Sequence, residues 1–429
     1  MTLKNTLIIF LLLCGVSIQA QDTLTVMQYN LLEYGNYNSG WASCYESNNN
    51  TQIKDECIRT ILDHVKPDIL TVNEFGASRS ILDDFLRHNL NINGVNYWKT
   101  DNIVNYANSN IINHIFYNSN KMELKRHAVI RTSVRDIDAY EMYFKTEGLV
   151  AGDTIKLVCM VAHLKAGEGS TNEGTRRAML QNAMDFIDEN YPEDNVLIMG
   201  DFNMYSSSES GYRLLTYNYP NPNVLFVDPL SLVGGVGYWH NKSEYAPYHT
   251  QSTTTSSNNP CRSGGGLDDR FDMILMSDEI YMGFNDIRYV NGSYKALGND
   301  GNHFNQSINE GYNSAVPAEV ADALFQCSDH LPITMKMRVY SKLGVDEYGL
   351  ADFRVYPNPV NDVLTISIQQ SPYGSPTRQT EYRIINMMGQ TFITGQLPSG
   401  DNPSLDVSAL SAGIYFIHIN GTTQKFVKL

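Results

Sequence analysis

Two rhythms of apolar and polar residues run through the chain from Thr23 to Tyr340. Short apolar or alternating stretches predict strands at about 23–28, 68–72, 113–117, 124–130, 139–145, 154–162, 195–199, 271–276 and 331–339. The last is the clearest: Leu331, Ile333, Met335, Met337 and Val339 share one face, and Pro332, Thr334, Lys336 and Arg338 the other. Between them, Ile58, Ile61, Leu62 and Val65 recur at helical spacing, as do Leu82, Phe85, Leu86 and Leu90, and Met179, Ala183, Phe186 and Ile187. Short connections between successive strands favour antiparallel neighbours. So many strands with so few helices predict an α/β (α+β) fold in which two mixed sheets pack face to face with helices outside. Two long polar stretches, 238–266 and 291–327, exceed the length of ordinary connections and are expected to line a substrate cleft.

The pattern changes after Tyr340. Residues 341–349 form a polar, Gly-containing linker, and from 350 to 429 short alternating runs are split by Pro, Gly and Asn, which predicts a small all-β sandwich. This tail resembles the C-terminal sorting domain of the type IX secretion system of Bacteroidetes through Tyr356-Pro-Asn-Pro359, the Met-Gly-Gln turn at 388–390, Leu410-Ser-Ala-Gly-Ile-Tyr415 and the closing Gln424-Lys-Phe-Val-Lys-Leu429. The resemblance implies export across the outer membrane, to the cell surface or into the medium, with the secretion machinery as partner. At the other end, Lys4, the apolar run from Leu7 to Val16 and the small Ala20 read as a signal peptide over 1–20. No further run is long enough to span a bilayer, so no transmembrane segment is expected. The domain boundaries that follow are 1–20, 21–340, 341–349 and 350–429.

Export changes the reading of the cysteines. Loss of Cys14 with the leader leaves an odd number in a compartment where disulfides persist. Cys44 and Cys57 flank an Asn-rich loop and are paired here, as are Cys261 and Cys327. Cys159, inside an apolar strand, is expected to be a buried thiol.

Polar residues gather where the predicted strands begin or end. Asn30 follows the first strand and Glu74 the second, in Val72-Asn-Glu-Phe75. His163 ends the long strand of the middle region, Gly200-Asp-Phe-Asn203 brings Asp201 and Asn203, Asp272 opens a later strand, and Ser328-Asp-His-Leu-Pro332 brings Asp329 and His330. Four carboxylates, two imidazoles and two amides on strand ends of one core make a hard-oxygen site, suited to Mg²⁺ or Mn²⁺ rather than to structural zinc.

This ordered set, above all Gly200-Asp-Phe-Asn203 and Ser328-Asp-His-Leu-Pro332, resembles the endonuclease/exonuclease/phosphatase superfamily over about 23–340. The family includes pancreatic-type deoxyribonucleases, apurinic endonucleases, bacterial sphingomyelinases and inositol polyphosphate phosphatases. The resemblance implies a four-layer αββα sandwich and a metal-dependent phosphodiesterase using Mg²⁺, with Mn²⁺ or Ca²⁺ as alternatives. It implies that Glu74 holds the cation beside Asn30, with Asp329 as a further carboxylate, and that Asp201 and Asn203 position or activate the attacking water. It also implies that His330, oriented by Asp272, contacts the scissile phosphate or takes the water's proton, and that His163 contacts phosphate or protonates the leaving group.

Charge narrows the substrate. With 31 Lys and Arg against 46 Asp and Glu, a formal charge of −15 repels polyanions at long range. Lys165, Arg176 and Arg177 are therefore expected to form a local phosphate-binding patch. The first expectation is a secreted, monomeric nuclease. A sphingomyelinase-like or other phosphoester hydrolase is the alternative, and a non-catalytic surface binding module is the reading from another class. Tyr238-Trp239 is the one candidate for an exposed aromatic hairpin that would favour lipid.

Overall fold

A computed structural model describes residues 22–37, 43–145, 154–220, 224–230, 237–340, 353–368, 381–386, 390–398, 402–419 and 422–429. The expected signal peptide and linker lie outside the described residues. Among the described residues of the 22–340 region, thirteen strands build two sheets. They are β1 (Asp22–Tyr34), β2 (Ile69–Gly76), β3 (Trp98–Thr100), β4 (Ile111–Asn118), β5 (Met122–Ile130), β6 (Ile137–Phe144), β7 (Lys156–His163), β8 (Val196–Asp201), β9 (Phe226–Val227), β10 (Asp272–Ser277), β11 (Ile287–Tyr289), β12 (Lys295–Ala296) and β13 (Ile333–Val339). The first sheet runs β11-β13-β1-β2-β4-β3 with β12 also on β13, and the second runs β5-β6-β7-β8-β10-β9. Each is mixed: β1–β2 and β7–β8 pair in parallel, and the other pairs are antiparallel.

Three apolar layers explain the stacking. Alternate residues of both sheets, such as Val26, Ile69, Met142, Val161, Met199, Ile274 and Met335, share one buried layer between the sheets. The outer face of the first sheet is covered by α1 (Thr51–Val65), α2 (Arg79–Phe85) and α6 (Ala318–Cys327) through Ile58, Ile61, Phe85, Val320 and Leu324. The outer face of the second is covered by α3 (Ser170–Asn190) and the short α4 (Ser210–Arg213) through Met179, Leu180, Ala183 and Tyr212; a further short helix, α5 (Asp278–Met282), follows β10. The four-layer αββα expectation holds.

One long-loop expectation does not. The stretch 291–327 contributes no lining residue to the principal cavity; it contains β12 and α6, and buries Ile308, Val316, Val320 and Leu324 on the first sheet. Its apolar residues at helical spacing are core, and the loop residue His303 is held locally by Asp300 and the Glu310 carbonyl.

The cysteine pairing is also corrected: the disulfide joins Cys44 to Cys261, 217 residues apart, and Cys57, Cys159 and Cys327 are buried free thiols. Cys57 lies on the inward face of α1 and packs with Cys327 in the outer apolar layer, whereas Cys44 and Cys261 pack with Leu32 at the end of β1. Sequence spacing carries little information about which loops meet.

The tail forms two antiparallel sheets from β14 (Phe353–Tyr356), β15 (Val363–Ile368), β16 (Glu381–Asn386), β17 (Thr391–Gln396), β18 (Ser404–Asp406), β19 (Gly413–Ile419) and β20 (Thr422–Lys428). Their orders are β14-β15-β18 and β17-β16-β19-β20. Phe353, Leu364, Ile366, Ile384, Leu405, Ile417 and Phe426 form its shared core, as expected of a small sandwich. Among the described residues no helix is long and apolar enough to cross a membrane.

Candidate active site

The layer between the sheets changes character along its length. On β1 the inward positions run Leu24, Val26, Gln28, Asn30; on β2, Ile69, Thr71, Asn73; on β7, Leu157, Cys159, Val161, His163; on β8, Leu197, Met199, Asp201. The alternation that builds the core thus delivers polar side chains at one end. Burying them requires partners. Gln28 Nε2 donates to Asn73 Oδ1 (2.6 Å), Asn73 Nδ2 donates to Asn113 Oδ1 (2.7 Å), and the Asp201 backbone N–H donates to Asn73 Oδ1 (2.8 Å). This amide ladder ties the two sheets together beneath the site.

Pairing register sets the next row. His163 is directly opposite Asp201 on β7–β8, and Asp201 is directly opposite Asp272 on β8–β10. Gly200 permits this approach: its φ is +146°, and a Cβ there would lie 1.7 Å from the Ala162 carbonyl oxygen. From the other sheet, a register shift between Val72 and Phe75 and a left-handed Glu74 (φ 53°) bring that carboxylate to the cavity, although simple alternation would send it outward.

The result is a cavity of about 800 Å³ lined by Glu74, His163, Asp201, Asn203, Asp329 and His330, with Arg135, Lys165 and Gln251 among its other walls. Glu74, His163 and Asp201 each offer a ligand atom, and these atoms lie within 4.8 Å of one another. His163 Nε2 is 3.4 Å from Asp201 Oδ2 and 3.9 Å from Glu74 Oε1. His330 Nε2 is 3.8 Å from Asp201 Oδ2, while its Nδ1 donates to Asp272 Oδ2 at 2.7 Å.

Asn30 stands among them. Its Nδ2 donates to Glu74 Oε1 and Asp201 Oδ2, both at 3.0 Å, and its oxygen accepts the Leu32 N–H at 2.9 Å. It is a brace between two carboxylates. Asn203, left-handed at φ 51°, donates its backbone N–H to Asp201 Oδ1 (3.0 Å). Asp329 accepts from the Ser263 N–H (2.8 Å) through Oδ2, and its buried Oδ1 has no hydrogen-bond partner.

Electrostatics follow from crowding. Burial, reinforced by the charge of Asp329, pushes the Glu74 carboxyl up to about 7 against the pull of His330. Burial, with Asp272 adding to it, likewise raises Asp201, to about 6. Burial, Arg135 and His330 hold His163 well below the ordinary imidazole value, so its contact with Asp201 is that of a neutral ring. Burial also opposes charge on His330, but Asp272 and Asp201 outweigh it and hold the imidazole well above its ordinary value. Carboxylates that resist ionising together, a neutral imidazole and an unpartnered Asp329 Oδ1 fit a divalent cation.

The expected phosphate patch is corrected in two of its three members. Arg176 is buried, paired with both oxygens of Glu209 (2.9 and 3.0 Å), and donates to the carbonyls of Lys165 and Gly167. Arg177 donates to the Ser210 carbonyl and does not line the cavity. Both hold α3 against neighbouring loops. Lys165 does line it. The cation that sequence reasoning missed is Arg135, ahead of β6, which donates to the His163 (3.1 Å) and Leu164 (2.6 Å) carbonyls and whose charge acts on Glu74 and Asp201. Gln251 was missed as well; nothing in Thr250-Gln-Ser252 distinguishes it from an ordinary loop residue.

Residues 354–429 match the family model of the secretion system C-terminal sorting domain. The match indicates export across the outer membrane, to the cell surface or the extracellular space. No curated protein matches the sequence. Among solved structures, the chain is similar to an endonuclease/exonuclease/phosphatase from Bacteroides vulgatus (16% identity, 75% of this chain and 100% of that one, TM-score 0.46). It is also similar to an endonuclease/exonuclease/phosphatase family protein from Bacteroides thetaiotaomicron (13%, 75% and 100%, TM-score 0.44) and to D. rerio TDP2 complexed with single strand DNA product (11%, 74% and 99%, TM-score 0.45).

Proposed function

We propose that residues 22–340 form a divalent-cation-dependent phosphodiester hydrolase that acts outside the cell, with nucleic acid as its substrate. One observation carries this reading: the Glu74–His163–Asp201 cluster and the Asp272-oriented ring of His330 converge at the floor of one cavity. In this reading Glu74, Asp201 and His163 hold the cation, Asp329 supplies a further carboxylate, and Asn30 keeps Glu74 and Asp201 at a fixed separation. A bound Mg²⁺ or Mn²⁺ supplies positive charge that offsets the phosphodiester's own and makes water more acidic.

The chain's own groups do the rest. Asp272 fixes the proton on His330 Nδ1, which leaves Nε2 as the working nitrogen, 3.8 Å from Asp201 Oδ2. A water beside them gives its proton to Asp201, whose other oxygen is held by the Asn203 N–H, while the charged ring of His330 turns Nε2 to a phosphate oxygen. Arg135 and Lys165 line the cavity wall that the phosphate meets. The lipid alternative loses its aromatic hairpin: Trp239 is fully buried and donates to the Met204 carbonyl, which leaves Tyr238 alone at the surface.

The test is incubation of the mature chain with plasmid DNA, RNA, sphingomyelin and bis-p-nitrophenyl phosphate, with Mg²⁺. Cleavage of nucleic acid and of the small diester is expected. Turnover of sphingomyelin alone would overturn the substrate, and turnover of none would overturn the enzyme.

A further inference from the structure

Gln251 occupies a place that the reaction scheme leaves open. Its side-chain Nε2 lies 2.6 Å from Nε2 of His330, the nitrogen that faces the cavity, and 3.5 Å from Oδ2 of Asp329. One carboxamide therefore touches two consecutive residues of the Ser328-Asp-His330 segment.

The contact is built from the backbone up. Gln251 donates its N–H to the Asp269 carbonyl (3.0 Å), and its own carbonyl accepts the N–H groups of Asp268 and Asp269 (both 2.9 Å). Gln251 also bridges the His330 backbone. Neighbouring Thr250 and Thr253 bind the same segment, through the Leu331 N–H to the Thr250 carbonyl (2.7 Å) and the Thr253 N–H to the Asp329 carbonyl (3.0 Å). The side chain leaves a fixed origin and is half-buried in the cavity wall. With Asp272 on Nδ1 and Gln251 on Nε2, both ring nitrogens of His330 are bonded, so the ring plane is set from both ends.

Chemistry explains the residue type. A carboxamide has a donor edge and an acceptor edge: its Nε2 donates to Asp329 and to an unprotonated His330 Nε2, and turned over, its oxygen accepts from Nε2 once that nitrogen carries a proton. A carboxylate at this place would face Asp329 with like charge, and a methyl would leave Nε2 only the longer 3.5 Å contact with Asn30 Nδ2.

We propose that Gln251 is a positioning residue of the hydrolytic site, whose carboxamide holds Asp329 and His330 in register and yields His330 Nε2 to a phosphate oxygen when substrate enters. This rests on the phosphodiesterase reading for its catalytic meaning, but the contact itself is testable without turnover.

The experiment uses the mature full-length chain labelled with ¹⁵N-histidine, its His330 signal assigned by loss in His330→Gln. In Gln251→Ala, without substrate, the His330 ring nitrogen resonances shift while those of His127, held by Asp101 and Asp138, do not. An unmoved His330 signal overturns the contact. With bis-p-nitrophenyl phosphate and Mg²⁺, Gln251→Ala lowers kcat about 10- to 100-fold with a smaller change in KM, and Gln251→Glu lowers it further. Wild-type kcat and KM in both variants overturn the positioning role. If the wild-type chain turns over no phosphodiester, the functional reading fails instead, and a shifted resonance would still stand as evidence of the contact.

Discussion

Asp272 and His330 join the two sheets at a single hydrogen bond. Asp272 opens β10 in one sheet, His330 stands just ahead of β13 in the other, and Asp272 Oδ2 accepts from His330 Nδ1 at 2.7 Å with both side chains almost wholly buried. The bond fixes which imidazole nitrogen faces the cavity, and its orienting power depends on the carboxylate.

Asp272→Asn therefore separates orientation from packing. The amide fills the same volume but removes the charge and allows the ring to take the other tautomer. Activity should fall about 10²–10⁴-fold in kcat with the unfolding midpoint nearly unchanged. A rate within threefold of wild type would remove Asp272 from the orienting role.

Glu74 carries the cation prediction. Mn²⁺ titrated into the wild-type chain should raise its unfolding midpoint in a concentration-dependent way, because an ion bound only by the folded state stabilises it by mass action. Glu74→Gln should largely lose this response. Since burial and Asp329 penalise the Glu74 charge, the ion-free variant should be at least as stable as wild type at neutral pH. An undiminished midpoint shift in the variant would place the ion elsewhere.

Much of this was legible in the sequence, through apolar runs and alternation. The strict repeat of two on β13 and the unbroken apolar runs of β7 and β8, buried on both faces, mark the core strands, and the polar residues at strand ends, Asn30, His163 and Asp201, mark the site. What was not legible depends on contacts between distant loops. Arg135 and Gln251 sit in unremarkable local sequence and acquire meaning only where β6, β7 and the 250–270 segment meet. Arg176 and Arg177 were misread because a basic residue near a helix start looks the same whether its guanidinium faces substrate or Glu209. Glu74 reaches the cavity through a bulge that reverses its alternation, so its site was found by motif and not by period.

The Cys44–Cys261 disulfide should support activity as well as stability. It fastens the loop after β1 to the segment whose Ser263 N–H holds Asp329. Replacing both cysteines with serine should cost about 2–4 kcal/mol of stability and reduce kcat. Reductant should do the same to wild type and nothing further to the variant; an active, equally stable double variant would show the bond to be dispensable.

His127 gives a pH test remote from the site. It is bonded to Asp101 and Asp138, both at 2.9 Å; burial opposes its charge, but the two carboxylates prevail and raise its pKa. A raised imidazole pKa stabilises the fold fully below the unfolded value of about 6.5, and the gain is lost as pH rises through the folded value. His127→Gln should thus be destabilised by about 1.5–3 kcal/mol at pH 6 in urea melts, with a smaller deficit at high pH. A deficit that grows with pH would reverse the sign.

The most direct test of the whole account is a time course of phosphodiester cleavage by the mature chain in Mg²⁺, followed by chelation and by return of the ion. The account predicts that hydrolysis stops in EDTA, resumes when Mg²⁺ is restored, and never starts in Glu74→Gln. Cleavage that continues undiminished in EDTA would contradict it.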